Sequence, residues 1–259
     1  MNFAMLLDLL GPALVAGLLV LATHVPLGRH VLARGIVFLD LAVAQMAALG
    51  VIAAHHAGVE SGWGVQAWAV SAAAGGAALL YLAERRWPQT QEALIGTVFV
   101  VTASLGVLLL AHDPHGGDTL HDLLAGQILW VDSRQLLTAA AVTAVLALLL
   151  LTPFGRGGMG FYLLFSCAVT LSVQLAGVFL VFASLIVPAL AVRRLAGWPA
   201  LAAGWGIGGL GYVLGLTLSA LFDLPSGPIV VCALALVALA FALGFMPLWG
   251  PDKERLGLK

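Results

Sequence analysis

Residues 112–122, HDPHGGDTLHD, gather three histidines and three aspartates, the densest run of metal-ligating side chains in the sequence. Imidazole and carboxylate suit zinc and other divalent transition ions. His112 and His115 stand three residues apart, as do Asp118 and His121. Pro114 and the Gly116–Gly117 pair favour a turn through the first half, so only Asp118 and His121 are expected to share a helical face. Two readings of the loop stay open. It gathers metal weakly, or it is a polar turn in which Asp118 caps a short helix over TLHDLLAG. His55 and His56 form a second imidazole pair.

Two polar groups interrupt apolar sequence, Asp40 and Gln45. An ionised group at mid-bilayer costs about 2.5–3.5 kcal/mol on insertion scales and usually faces a bundle interior or a water path. Asp40 is therefore read as a pathway group or as half of an ion pair with Arg34. Gln45 buries an amide that needs partners, in a pathway or in an interhelical hydrogen bond. The sequence holds no Walker phosphate loop, HExxH or GxSxG. No covalent chemistry and no tightly bound cofactor are expected of this chain.

The elements that must position these groups are written in the composition. Of 259 residues, 62% are hydrophobic and 9% charged, against the roughly 25% charged residues usual in water-soluble domains. Mean hydropathy is +1.08. Charges fall in short islands separated by apolar stretches near the roughly 20 residues a helix needs to cross a bilayer. The fold class is an all-α, polytopic transmembrane bundle, taken as a single domain over 1–259. Spans are expected near 10–27, 36–54, 64–83, 92–111, 134–152, 199–221 and 228–249. Residues 160–192, long for one crossing and tight for two, contain Gly177 and Pro188 and read as a broken pair or re-entrant hairpin.

Short loops rich in Lys and Arg stay in the cytoplasm. Arg29/Arg34, Arg85/Arg86, Arg156, Arg193/Arg194 and the KERLGLK tail all fall on that side if the N-terminus is outside and 160–192 crosses an even number of times. The total is then seven or nine. Small residues recur at helix-contact spacing: Gly204/Gly208, Gly211/Gly215 and Ser71/Gly75. Cys167 and Cys232 lie in apolar spans and read as small core residues. A net charge of −1 leaves no basic surface for nucleic acid. The N-terminal MNFAMLLDLLGPALVAGLL lacks a basic start and reads as a first span, not a removed signal.

Several stretches together resemble the membrane permease subunits of ABC importers for zinc, manganese or iron. They are RGIVFLDLAVAQMAALGV (34–51), EALIGTVFVVTASLGVLLL (92–110), LHDLLAGQILWV (120–131), QLAGVFLVFASLIVPALAVRRL (174–195) and DLPSGPIVV (223–231). The resemblance implies a homodimer around a central path in the bacterial inner membrane. It also implies a cytoplasmic ATPase partner, an extracytoplasmic solute-binding protein, and a transported metal ion, zinc or manganese, as substrate. Two departures stand out. Where that family commonly has Asp-x-x-x-His on the second span, Leu41 and Gln45 take those places here, with Asp40 one position early. One position turns a helical side chain by about 100°, and an amide is a poorer metal ligand than imidazole. After the fifth span the family's longer coupling segment is reduced to TPFGRGGMG (152–160), leaving Arg156, Gly157 and Gly158 as the residues expected to couple to an ATPase. The same framework carrying a non-metal solute, and a secondary carrier or channel, are the alternatives.

Overall fold

The computed structural model describes residues 3–59, 61–126 and 128–245, with side chains given over 10–244 apart from residues 60, 127 and 156. Ten α-helices account for almost all of the described chain: α1 (Phe3–Arg34), α2 (Leu39–His56), α3 (Gly62–Arg86), α4 (Gln91–Leu110), α5 (Gly116–Ala125), α6 (Ser133–Leu151), α7 (Gly158–Ala176), α8 (Val178–Ala191), α9 (Gly197–Phe222) and α10 (Ser226–Phe245). Eight segments are long and apolar enough to cross a membrane, and α8 is a shorter apolar helix. The chain is a multi-pass membrane protein.

Helix ends follow local chemistry. Ser61 accepts a hydrogen bond from the Gly64 amide to start α3, and Asp132 with Gln135 forms a reciprocal capping box at α6. The expected break in 160–192 falls at Gly177, whose φ of 78° is easily adopted only by glycine. Pro188 does not break the chain: α8 runs through it to Ala191. Likewise α1 passes Pro26 and continues to Arg34, well beyond the expected end near 27.

The bundle has an interior and a rim. In the spanning windows of α7 and α2, 72% and 67% of residues are buried, against 17% in α6, so α7 and α2 form the centre and α6 presents apolar surface outward. Two glycine stripes let α9 lie against two neighbours. Gly204 and Gly208 meet Val25 and Leu21 of α1, whereas Gly211 and Gly215 meet Leu234 and Val230 of α10. The third expected pair is a correction. Ser71 is exposed and Gly75 faces open space, because Ala69, Ala73, Gly76 and Ala77 form the buried face of α3. Cys232 is also exposed on α10 and is no core residue, while Cys167 is half-buried; both are free thiols.

The loops collect at two ends. At one, the arginine end, Arg29 donates to the Gly197 carbonyl (3.4 Å) and Arg34 lies over the Phe161 ring, 4.2 Å from its centroid. The starts of α7 and α9 therefore share an end with the finish of α1. At the other, the histidine end, the finishes of α2 and α4 meet α5. The KERLGLK tail lies outside the described residues.

Candidate functional site

The second helix carries the polar groups of the bundle interior. Asp40 sits in its first turn, 0% exposed, and neither carboxylate oxygen has a hydrogen-bond partner among the described residues. An ionised carboxylate buried without a partner is costly, and a cation or proton brought to it relieves that cost. Gln45 lies five residues on, far around the helix. It lines a narrow crevice walled by α2, α4, α5 and the start of α8. Thr102 is the other polar group there; Ile52, Leu120, Leu123, Leu124 and Val178 make most of the rest apolar. Three leucines of the amphipathic α5 thus cover a gap whose floor carries an amide and a hydroxyl.

The histidines spread over the surface of that end. His55, His56, His112, His115, Asp118 and His121 are all exposed, and no group of three His, Cys, Asp or Glu side chains converges on a common point among the described residues. The helix in this loop begins earlier than expected. Asp113, not Asp118, organises its entry by accepting from the His115 amide (2.9 Å), and the glycine pair forms its first turn. Asp118 stands inside α5 and caps nothing, while Asp118 and His121 do share the helix at one-turn spacing.

Backbone contact fastens α5 at its far end. A Cβ on Gly126 would stand 2.2 Å from the Ala176 carbonyl oxygen, one on Gly177 2.4 Å from the Gly126 nitrogen, and one on Gly227 2.1 Å from the Ala125 carbonyl oxygen. The α7–α8 break, the end of α5 and the start of α10 meet there with no room for side chains.

At the arginine end, residues 152–160 fold into a compact knuckle. Pro153–Arg156 form a 3-10 turn, and Phe154 is 54% exposed at its tip. A Cβ on Gly160 would lie 2.1 Å from the Phe154 carbonyl oxygen, and one on Gly155 2.6 Å from that of Leu149. The glycines therefore serve close backbone packing instead of looseness. Gly157 and Gly158 join the turn to α7; a Cβ on Gly157 would lie 3.7 Å from Arg34 Nη2. The Arg156 side chain lies outside the described residues.

The sequence of the ABC 3 transport family matches this chain over residues 6–156 and 157–245. The chain belongs to the ABC 3 transport family. Among solved structures, PsaBC from Streptococcus pneumoniae, in complex with a Fab, superposes with a TM-score of 0.76 at 20% identity, covering 95% of this chain and 99% of that one. A metal-chelate type ABC transporter in an inward-facing conformation superposes with a TM-score of 0.63 at 20% identity, covering 92% and 84%. At such identities the likeness is one of fold. This ABC 3 permease is accordingly a membrane component of a transport system.

Sequence reasoning missed three features of this permease. Thr102 joins Gln45 at the crevice, yet on paper it is one threonine in an apolar helix. His24 is fully buried in α1, its Nδ1 3.0 Å from the Val20 carbonyl oxygen and its Nε2 without a partner among the described residues. A histidine inside an apolar span was the available signal. Tyr162, fully buried with its hydroxyl accepting from Gln91 Nε2 at 2.7 Å, followed the knuckle in sequence, but its partners lie on other helices.

Proposed function

We propose that this chain is the permease subunit of an ATP-driven importer for a divalent transition metal ion, zinc first, manganese or iron next. Two copies form the path in a bacterial inner membrane, a cytoplasmic ABC ATPase supplies the energy, and an extracytoplasmic binding protein delivers the ion. Membership of the ABC 3 transport family carries this reading. The metal-chelate type of one structural neighbour supports a metal cargo, and the clustering of arginines at one end supports a cytoplasmic face there.

Within this reading Asp40 and Gln45 are path residues. Both are interior groups on one helix, Gln45 opening on the crevice and Asp40 presenting oxygens without a hydrogen-bond partner among the described residues. His55, His56, His112, His115, Asp118 and His121 form a diffuse collar that raises local metal concentration without a defined site. The knuckle, with Arg156, Gly157 and Gly158, meets the ATPase in place of a longer coupling segment.

The test is reconstitution in liposomes with the ATPase and binding protein. ATP-dependent accumulation of zinc(II) or manganese(II) is expected. Accumulation that persists without ATP or without the ATPase would overturn the reading in favour of a carrier or channel. ATP-driven transport of another solute, untouched by chelators, would overturn the metal cargo alone.

A further inference from the structure

The knuckle is followed at once by two aromatic residues that point to different helices. Successive positions on a helix diverge by about 100°, and Phe161 and Tyr162 use that divergence. Phe161, fully buried, lies under the Arg34 guanidinium and 6.2 Å from the His30 ring, both on the last turns of α1. Tyr162 turns to α3 and α4. Its ring lies 5.6 Å from that of Tyr81, Glu84 flanks its hydroxyl, and Gln91 Nε2 donates to it. The two rings meet edge to face, their centroids 5.8 Å apart.

A second contact closes the circuit. Glu92, next to Gln91 on α4, accepts from the Phe38 amide at 3.2 Å, immediately before α2 begins. The head of α2, which carries Asp40, is therefore reached from the knuckle by two routes. One passes through Phe161, Arg34 and the short connection from α1; the other passes through Tyr162, Gln91 and Glu92. The first route runs through stacked groups and the chain itself, the second through a ring contact and two hydrogen bonds, so the knuckle has two physical connections to the head of α2.

We infer that Phe161 and Tyr162 form a transmission joint, positioning residues that carry movement of the 152–158 knuckle to the start of α2 and to Asp40. This rests on the proposed function, since the movement is that of a docked ATPase. The joint touches no cargo; it sets how much transport each hydrolysed ATP yields.

The experiment uses the permease–ATPase complex in liposomes, with zinc(II) or manganese(II) and ATP hydrolysis followed together. Tyr162→Phe removes one hydroxyl, Gln91→Leu removes its donor, and Phe161→Leu removes the ring beneath Arg34. Tyr212→Phe is the control, because Tyr212 Oη shares an equally buried hydrogen bond with Ser184 Oγ (2.9 Å) between α9 and α8, away from the joint. Co-purification with the ATPase is expected for every variant. Ions moved per ATP should fall about fivefold or more in the three joint variants, the lower range of coupling between separate sites, and stay at the wild-type value in Tyr212→Phe. An unchanged ratio in the joint variants that assemble overturns the inference, as does an equal fall in Tyr212→Phe. A wild-type complex without ATP-driven uptake overturns the proposed function itself, before any variant is compared.

Discussion

The two ends of the bundle are fastened in different ways. At the histidine end, Gly126, Gly177 and Gly227 bring backbone against backbone, with no side chain between the end of α5, the α7–α8 break and the start of α10. At the arginine end, rings and long polar side chains span the gaps: Phe161 to Arg34, Tyr162 to Gln91, Glu92 to the Phe38 amide. A backbone junction has one geometry and yields only by coming apart. Side chains turn about their torsions between staggered wells and can hold a second arrangement of the same helices. The difference assigns fixed closure to the first end and adjustable linkage to the second, as expected if force enters where the arginines are.

The largest effect should come from filling the backbone junction. Gly177→Val sets a branched residue at a φ of 78° with its Cβ 2.4 Å from the Gly126 nitrogen. Backbone strain of about 1–3 kcal/mol in this glycine-only region adds to overpacking of about 1–3 kcal/mol. Together these consume a large part of the roughly 5–15 kcal/mol that holds a typical domain folded. Monodisperse protein on size exclusion should be largely lost. Recovery at wild-type yield and melting temperature would show that the junction is not fixed and remove the contrast between the ends.

Next comes Asp40→Asn, which keeps the shape of the side chain and discards its charge. Since neither oxygen has a hydrogen-bond partner among the described residues, folding gains nothing from the carboxylate, and the melting temperature should hold or rise. Uptake at limiting metal should fall about tenfold or more, equivalent to about 1.4 kcal/mol of lost ion stabilisation. Parallel measurement of thermal melting and liposome uptake checks both halves. A variant that melts earlier but transports normally would make Asp40 a packing residue and leave the adjustable end with nothing to adjust.

Much of this architecture was legible, and the reasons are specific. Apolar stretches of spanning length gave the helices, Gly177 gave the break between α7 and α8, and arginine placement grouped the loops that Arg29 and Arg34 tie together. Register was not legible. Ser71/Gly75 had the right spacing but the wrong face, because α3 is rich in small residues all round and only the partner helix selects Ala69, Ala73 and Gly76. The joint was hidden for a related reason: the partners of Phe161 and Tyr162 come from three other helices, and spacing within one helix says nothing about them. The histidine run drew attention by composition, yet composition does not report convergence, and its side chains spread over an exposed surface.

A smaller effect tests that register directly. Gly50→Ala places a methyl 2.8 Å from the Trp68 carbonyl oxygen and 2.9 Å from Ala69 Cα, rigid atoms of the neighbouring α3. It should cost about 1–3 kcal/mol by overpacking, seen as a lower melting temperature in detergent. Gly75→Ala meets nothing within 4 Å and should melt with the wild type. The reverse order would restore the Ser71/Gly75 face and turn α3 about its axis, moving Glu84 and Tyr81 away from the joint.

The smallest effect is expected from the residues most conspicuous in the sequence. Replacing His112, His115 and His121 together with alanine removes three exposed imidazoles that share no coordination point. In the proposed function they contribute only local concentration of a cation, a surface electrostatic effect of about 0–1 kcal/mol that salt screens. The metal concentration at half-maximal uptake should rise no more than about fivefold, the factor that such an energy allows. Maximal uptake should stay unchanged, because α5 keeps Leu120, Leu123 and Leu124 over the crevice and its glycine fastening. Raising the ionic strength should erase the difference between variant and wild type. A fall in maximal uptake that persists at high salt would mean that the histidines act on the moving parts, and that the histidine end is no fixed closure at all.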